Sequence, residues 1–233
     1  MTSSGFNVYY FPSPQLLADA AARDWCKKTA NAKAPFTVAL SGGRIANDFF
    51  KAVTTRNNAG VRQAHFFWAD ERCVPLDDPD SNYRVARELL FDPLQIEASH
   101  IHRIRGEAEP SQAAAAASQD LLRTAVGSPE VPILDWIFLG MGEDGHVASL
   151  FPGATPYHGV YYDVIGPKPP PRRITLSYDV LAAAREVWVL VSGQGKETAL
   201  RESLRPGGTT PLAQVIQSRK MTQVFSDILL KGA

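Results

Sequence analysis

The sequence predicts an α/β fold, a mainly parallel sheet with helices on both faces, and three observations predict it. Short apolar runs alternate with longer amphipathic segments along the chain, which is the pattern of strands joined by crossover helices. Several of the short runs (TVAL, ILDWIFL, VWVLV) are apolar on both faces, as expected of strands covered from either side. Three of them run into glycine-bearing loops, and glycine lets backbone N–H groups approach a ligand closely.

In chain order, strands are expected at Asn7–Phe11, Phe36–Leu40, Ala64–Ala69, Leu134–Leu139, Arg172–Leu176, Glu186–Val191 and Thr222–Phe225. Helices are expected at Pro14–Asn31, Asn47–Asn57, Asn82–Leu90, Ser111–Val126, Ser177–Ala184, Lys196–Leu204, Pro211–Gln217 and Ser226–Leu230. The alanine-rich stretch Ser111–Gln119 reads as a surface helix because Leu121 and Leu122 continue its pattern. Gly166–Pro171 (GPKPPP) is extended, since prolines remove donors and restrict the residue before them. With no internal repeat and weak boundaries, residues 1–233 read as one domain.

The 24 Lys and Arg residues balance 24 Asp and Glu, and 45% of residues are hydrophobic. The balance gives no global basic field for nucleic acid or anionic membrane, so any anionic ligand has to be caught by a local cluster of donors. Cys26 and Cys73 are far apart and fit no zinc spacing, which reads as a reduced cytosolic pair. The start MTSSGFNVYYF lacks a basic segment followed by a long apolar core, and no apolar run approaches the roughly 18 residues of a membrane span. These features predict a soluble cytoplasmic protein.

Four segments carry candidate chemistry. In TVALSGGR, Ser41, Gly42 and Gly43 form a tight turn into a helix whose free N–H groups and dipole favour an anion. Arg44 adds a fork suited to phosphate. A plain strand-to-helix turn explains the same glycines equally well. In WADERCVP followed by Ser81-Asn82-Tyr83, Arg72 is the better ligand candidate. Asp70 and Glu71 read as loop, cap or ion-pair groups, and Asn82 reads as an N-cap, with a ligand role beside it. In LGMGEDGHVASLFPG, His146 opens a short helix stopped by Pro152 and is the residue best matched to general-base work near neutral pH. Either Asp144 or Glu143 can orient its imidazole. In VLVSGQGK, Lys196 brings an ammonium to the sheet edge, at a small cost against the helix dipole. The other four histidines are not expected to cluster, so no metal site is expected.

These motifs resemble the 6-phosphogluconolactonases. ADERCVPLDDPDSNYRVARELL, LGMGEDGHVASLFPG, RRITLSYDVLAAA and VSGQGKETAL fit in order and spacing from Phe36 to about Pro211. The resemblance implies a Rossmann-like sheet shared with glucosamine-6-phosphate deaminases, and hydrolysis of 6-phosphogluconolactone without metal or cofactor. It implies His146 as the base, Arg72 as the substrate-binding arginine, Ser41, Gly42 and Gly43 as the phosphate loop, and Lys196 near the phosphate. Asp144 as the partner of His146 and Asn82 toward the substrate are expected from the residues themselves. The implied partner is a small sugar-phosphate lactone, and the implied state a monomer or weak homodimer. The chain departs from the family in carrying Arg44-Ile45-Ala46 where a small hydroxyl residue and a proline are common, so Arg44 either takes the place of lost hydroxyl donors to the phosphate or braces Glu71. A deaminase or isomerase acting on glucosamine 6-phosphate and a non-catalytic sugar-phosphate sensor are the competing readings.

Overall fold

The computed structural model describes residues 5–32, 34–56, 58–128 and 130–230. The chain runs β1 (Phe6–Tyr10), α1 (Pro14–Thr29), β2 (Phe36–Leu40), α2 (Arg44–Thr54), β3 (Ala64–Trp68), β4 (Asp70–Arg72), α3 (Asn82–Ala86), α4 (Asp92–Leu94) and α5 (Pro110–Thr124). A π-helical turn, Arg87–Phe91, joins α3 to α4. There follow β5 (Val126–Gly127), β6 (Pro132–Ile133), β7 (Trp136–Gly140), β8 (Tyr161–Ile165), β9 (Arg172–Leu176), α6 (Tyr178–Ala183), β10 (Glu186–Val191), α7 (Glu197–Leu204), α8 (Pro211–Gln217) and β11 (Thr222–Ser226).

Six strands form the main sheet in the order β1-β11-β10-β7-β2-β3, and every pairing is parallel. From β2 the winding goes outward to β3; from β7 it goes the other way, through β10 and β11. The reversal lies between β2 and β7, and such a switch point opens a crevice at the carboxyl ends of the strands. The apolar runs bury both faces, as their composition requires: all five residues of β2 are buried. On one face Trp25 of α1 and Phe49 of α2 close on Phe138 of β7, with ring centroids 5.1 and 4.6 Å apart. Aromatic pairs at such distances add to the area they bury.

The helices start where the caps put them. Ser13, Ser177 and Thr210 each accept a hydrogen bond from the first turn of the helix that follows, with proline at the head of α1 and α8. The expected cap at Asn82 is corrected to its neighbour: Ser81 Oγ accepts from Arg84 N at 3.1 Å, because Ser81 has the extended backbone a cap needs. The helix α2 starts at Arg44, not Asn47, since Ala46 N and Asn47 N already donate to Gly43 O. It ends at Thr54, and the expected end at Asn57 lies outside the described residues.

Three expectations fail. No helix forms over Ser226–Leu230; Ser226 instead completes β11, pairing with Tyr10 and Val191. No helix opens at His146: residues 143–150 form turns, with a bridge between Val147 and Leu150. The expected strand Arg172–Leu176 forms, but outside the main sheet. It is the centre of a three-stranded antiparallel sheet, β4-β9-β8, whose flanking strands sequence reading did not mark.

Candidate active site

The loops after β2, β7 and β10 meet above the switch point and enclose a cleft of about 380 Å³. Ser41, Arg44, Lys196, Arg72 and His146 all line it, and Arg72 and His146 also line an adjoining hollow that Ser41, Arg44 and Lys196 do not, which distinguishes two ends of the cleft. The three glycine-bearing loops expected at the sheet edge therefore converge on one site.

At the first end, backbone shape comes before charge. A Cβ on Gly42 would sit 1.9 Å from Asn82 Oδ1, so only glycine lets the turn close over that side chain. Asn82 itself is buried beneath the loop, where its Nδ2 donates to Asp70 O at 2.8 Å; it is not among the residues lining the cleft. Ser41 Oγ is buried and has no hydrogen-bond partner among the described residues. Arg44 and Lys196 bring two cations to the same wall. Burial, with Arg44 next in effect, holds the Lys196 ammonium below the usual lysine range, against the opposing pull of Glu143 and Asp227. Two cations crowded together in a partly dry wall call for an anion.

At the other end, His146 Nδ1 lies 2.5 Å from Asp144 Oδ1. Asp144 also accepts from His146 N at 3.2 Å. Burial alone raises the Asp144 carboxyl, but the hydrogen bonds and charge of His146 outweigh it and hold the group below the usual carboxylate range. The choice left open between Asp144 and Glu143 is thereby resolved geometrically: Glu143 points to Lys168, 3.8 Å away. With Nδ1 engaged by a carboxylate, Nε2 is the basic nitrogen. A Cβ on Gly142 would come within 2.1 Å of the imidazole and 2.8 Å of Asp144 Oδ1, so the dyad occupies space that only glycine leaves.

The acids beside Arg72 are structural. Glu71 is buried and accepts from the backbone N–H groups of Arg72, Asn82 and Tyr83, each at 2.8 Å. Burial pushes its carboxyl up to about 7, against those three donors. Asp70 accepts from Ser149 Oγ at 2.7 Å, and Ser149 is wholly buried. Among the lining residues that sequence reading missed are Asp227 and Arg173. Asp227 holds the β10 loop through Ser192 Oγ at 2.8 Å and Gly193 N at 3.2 Å, and Arg173 reaches the cleft from β9. The doubled arginine in RRITL was the one available signal, but it does not say which arginine faces in.

The remaining histidines correct another expectation. His65, His100 and His102 do cluster: His65 Nδ1 is 2.9 Å from His102 Nε2, whose Nδ1 is 2.9 Å from Asp120 Oδ2, and the rings of His65 and His100 are 4.4 Å apart. The histidines gather from β3 and the segment before α5, with Asp120 from α5, and none of them lines the cleft. Among the described residues no group of His, Cys, Asp and Glu is arranged to hold a metal ion, and no helix is long and apolar enough to cross a membrane.

Known proteins resemble this chain in sequence and in fold. The family model described as glucosamine-6-phosphate isomerases/6-phosphogluconolactonase matches residues 12–225. The chain is 36% identical over 203 residues to a 6-phosphogluconolactonase of Haemophilus influenzae, covering 84% of each chain. It is 35% identical over 213 residues to one of Streptomyces coelicolor, covering 83% of this chain and 81% of that one. Among solved structures, the 6-phosphogluconolactonase of Trypanosoma brucei superposes with a TM-score of 0.82 at 26% identity, covering 96% of this chain and 97% of that one. The chain belongs to the glucosamine-6-phosphate isomerase/6-phosphogluconolactonase family.

Proposed function

We infer that this chain hydrolyses 6-phospho-D-glucono-1,5-lactone to 6-phosphogluconate, the lactonase step of the oxidative pentose phosphate pathway, in the cytoplasm. The observation that carries the reading is one cleft with a cationic wall at one end and a carboxylate-oriented imidazole at the other. Relatives named 6-phosphogluconolactonase, 36 and 35% identical to the chain, support it.

In this reading Ser41, Gly42, Gly43, Arg44 and Lys196 hold the 6-phosphate, and binding energy from that remote group positions the ring. His146 Nε2 takes a proton from water as the water oxygen bonds to C1, and the carbonyl π pair moves onto oxygen. Arg72 stabilises that oxyanion. When the tetrahedral centre collapses, the bond from C1 to the ring oxygen breaks, and His146 returns its proton to the departing oxygen as a hydroxyl. The new carboxylic acid loses its own proton to solvent. A lactone is an activated ester, so no covalent intermediate is needed, and Ser149, turned into Asp70, is no nucleophile. Asn82 acts from beneath the phosphate loop, fixing its path.

The purified chain is expected to release acid from 6-phosphogluconolactone above the spontaneous rate and to release no ammonia from glucosamine 6-phosphate. Robust ammonia release with no acceleration of lactone opening sinks the reading in favour of a deaminase.

Lys196 sets a pH dependence. Its ammonium holds phosphate only while protonated, and its pKa lies below the usual lysine range. Affinity for 6-phosphogluconate is therefore present at neutral pH and declines as pH rises, beginning below the ordinary lysine pKa of about 10.4. Titration calorimetry across neutral to alkaline pH reads this, and Lys196→Arg, whose charge persists, flattens it. An affinity flat with pH in the unmodified chain removes Lys196 from the phosphate site.

A further inference from the structure

We propose that Arg173 is the second arm of a two-arginine receptor, with Arg72 the first, for the substrate's carbonyl oxygen and then the carboxylate of the product. The proposal rests on the lactonase reading and adds to it a residue that recognises the end of the molecule opposite the phosphate.

Arg72 and Arg173 are direct cross-strand partners in the β4–β9 ladder. Like charges placed opposite one another in a sheet are destabilising, and this pair has little to relieve it. Every hydrogen bond of the two guanidiniums ends on a main-chain carbonyl: Arg72 Nη1 on Asp80 at 3.0 Å, Arg173 Nε on Pro170 at 3.1 Å and Arg173 Nη2 on Lys168 at 3.3 Å. Neither takes part in an ion pair among the described residues, although Arg173 is only 6% exposed. Arg72 Nε is buried without a hydrogen-bond partner among the described residues. Of the two acids on the strand, Glu71 is taken up by three backbone N–H groups, and Asp70, which shares the face of Arg72, has one oxygen engaged by Ser149. Burial, with Arg72 next, pushes the Arg173 guanidinium below its usual value. A partly desolvated cation pair with no carboxylate in ion-pair contact, opposed by the pull of Asp70 and Asp80, is costly to keep, and an anionic ligand repays it.

Position says which anion. Arg72, Arg173 and His146 together line both the cleft and an adjoining hollow of about 450 Å³ beyond the imidazole. The Arg173 guanidinium lies 5.6 Å from the Phe151 ring, whose own centre is 4.9 Å from that of His146. The pair thus stands at the base, the far end of the cleft from Arg44 and Lys196, where the carbonyl gains negative charge and a carboxylate is left behind. Planar guanidinium forks match both species.

Arg173 also braces the 166–171 loop through Pro170 O and Lys168 O, so the test has to separate recognition from bracing. Calorimetry with 6-phosphogluconate and with D-sorbitol 6-phosphate, which has CH₂OH in place of the carboxylate, does so. The unmodified chain is expected to prefer 6-phosphogluconate by at least about 10-fold. Arg173→Met is expected to weaken 6-phosphogluconate about 10- to 100-fold while leaving D-sorbitol 6-phosphate within about 3-fold. If Arg173→Met melts before it can be titrated, Arg173→Lys, which keeps the stem and charge but not the fork, is read instead and is expected to lose most of the preference. Equal affinities in the unmodified chain, a variant that weakens both ligands alike, or one that keeps the preference overturns the proposal and leaves the lactonase reading standing. Failure of the unmodified chain to bind either ligand overturns the lactonase reading, and this proposal with it.

Discussion

His146→Ala is expected to lower kcat for 6-phosphogluconolactone by about 10²- to 10⁴-fold, the range a positioned general base supplies, with KM held within about 3-fold. The split follows from the separation of tasks along the cleft. The proposed phosphate grip is at Ser41–Arg44 and Lys196, which do not share the hollow that His146 lines, so removing the proposed base is expected to leave ground-state binding in place. His146 is part-exposed, with side-chain accessibility of 26%, and its truncation opens little core, so the melting temperature is expected to move by no more than about 2 °C. Steady-state kinetics with the spontaneous rate subtracted, alongside a thermal melt, checks both parts. Turnover at the unmodified rate in a folded His146→Ala protein removes the base from the mechanism.

The second large effect belongs to the other end. Lys196→Ala and Arg44→Ala are each expected to raise KM about 10- to 100-fold, since a charge-assisted hydrogen bond contributes roughly 1.5–3 kcal/mol. The double variant is expected to fall short of the product of the two. In the free protein Arg44 already lowers the pKa of Lys196, and removing either cation relieves the other, so the sites are coupled. An Arg44→Ala protein with unchanged KM, beside a Lys196→Ala protein that is impaired, assigns the phosphate to Lys196 and the loop N–H groups alone. The departure of this chain at Arg44-Ile45-Ala46 would then carry no chemistry.

What could be read ahead of the structure divides along a physical line. The main sheet was legible because β2, β7 and β10 are apolar on both faces and each runs into glycine, and those local patterns are enforced by burial. Ser41, His146 and Lys196 follow from the same strand ends. The side sheet was not legible. The strand β4 is three residues long, and its partner β9 lies about a hundred positions further on, so no periodicity announces the pairing, and with it Arg173 was lost. The histidine cluster failed for the same reason: His65, His102 and Asp120 are far apart in the chain and come together only through packing. Local competition explains the rest. Ser81 and Asn82 are both able to cap a helix, and backbone dihedrals decided for Ser81; Ser226 continued a strand ladder rather than begin a helix.

The bond from Ser149 Oγ to Asp70 Oδ2 has a consequence for the chemistry above it. Ser149 stands three residues past His146, and Asp70 two before Arg72, so one interior contact yokes the proposed proton acceptor of the main sheet to the proposed oxygen receptor of the side sheet. Ser149 N, reaching Thr175 Oγ1 at 3.2 Å, ties in β9, the strand that carries Arg173. The spacing between acceptor and receptor is thus set during folding, in the dry interior, and an incoming lactone meets a gap already cut to width.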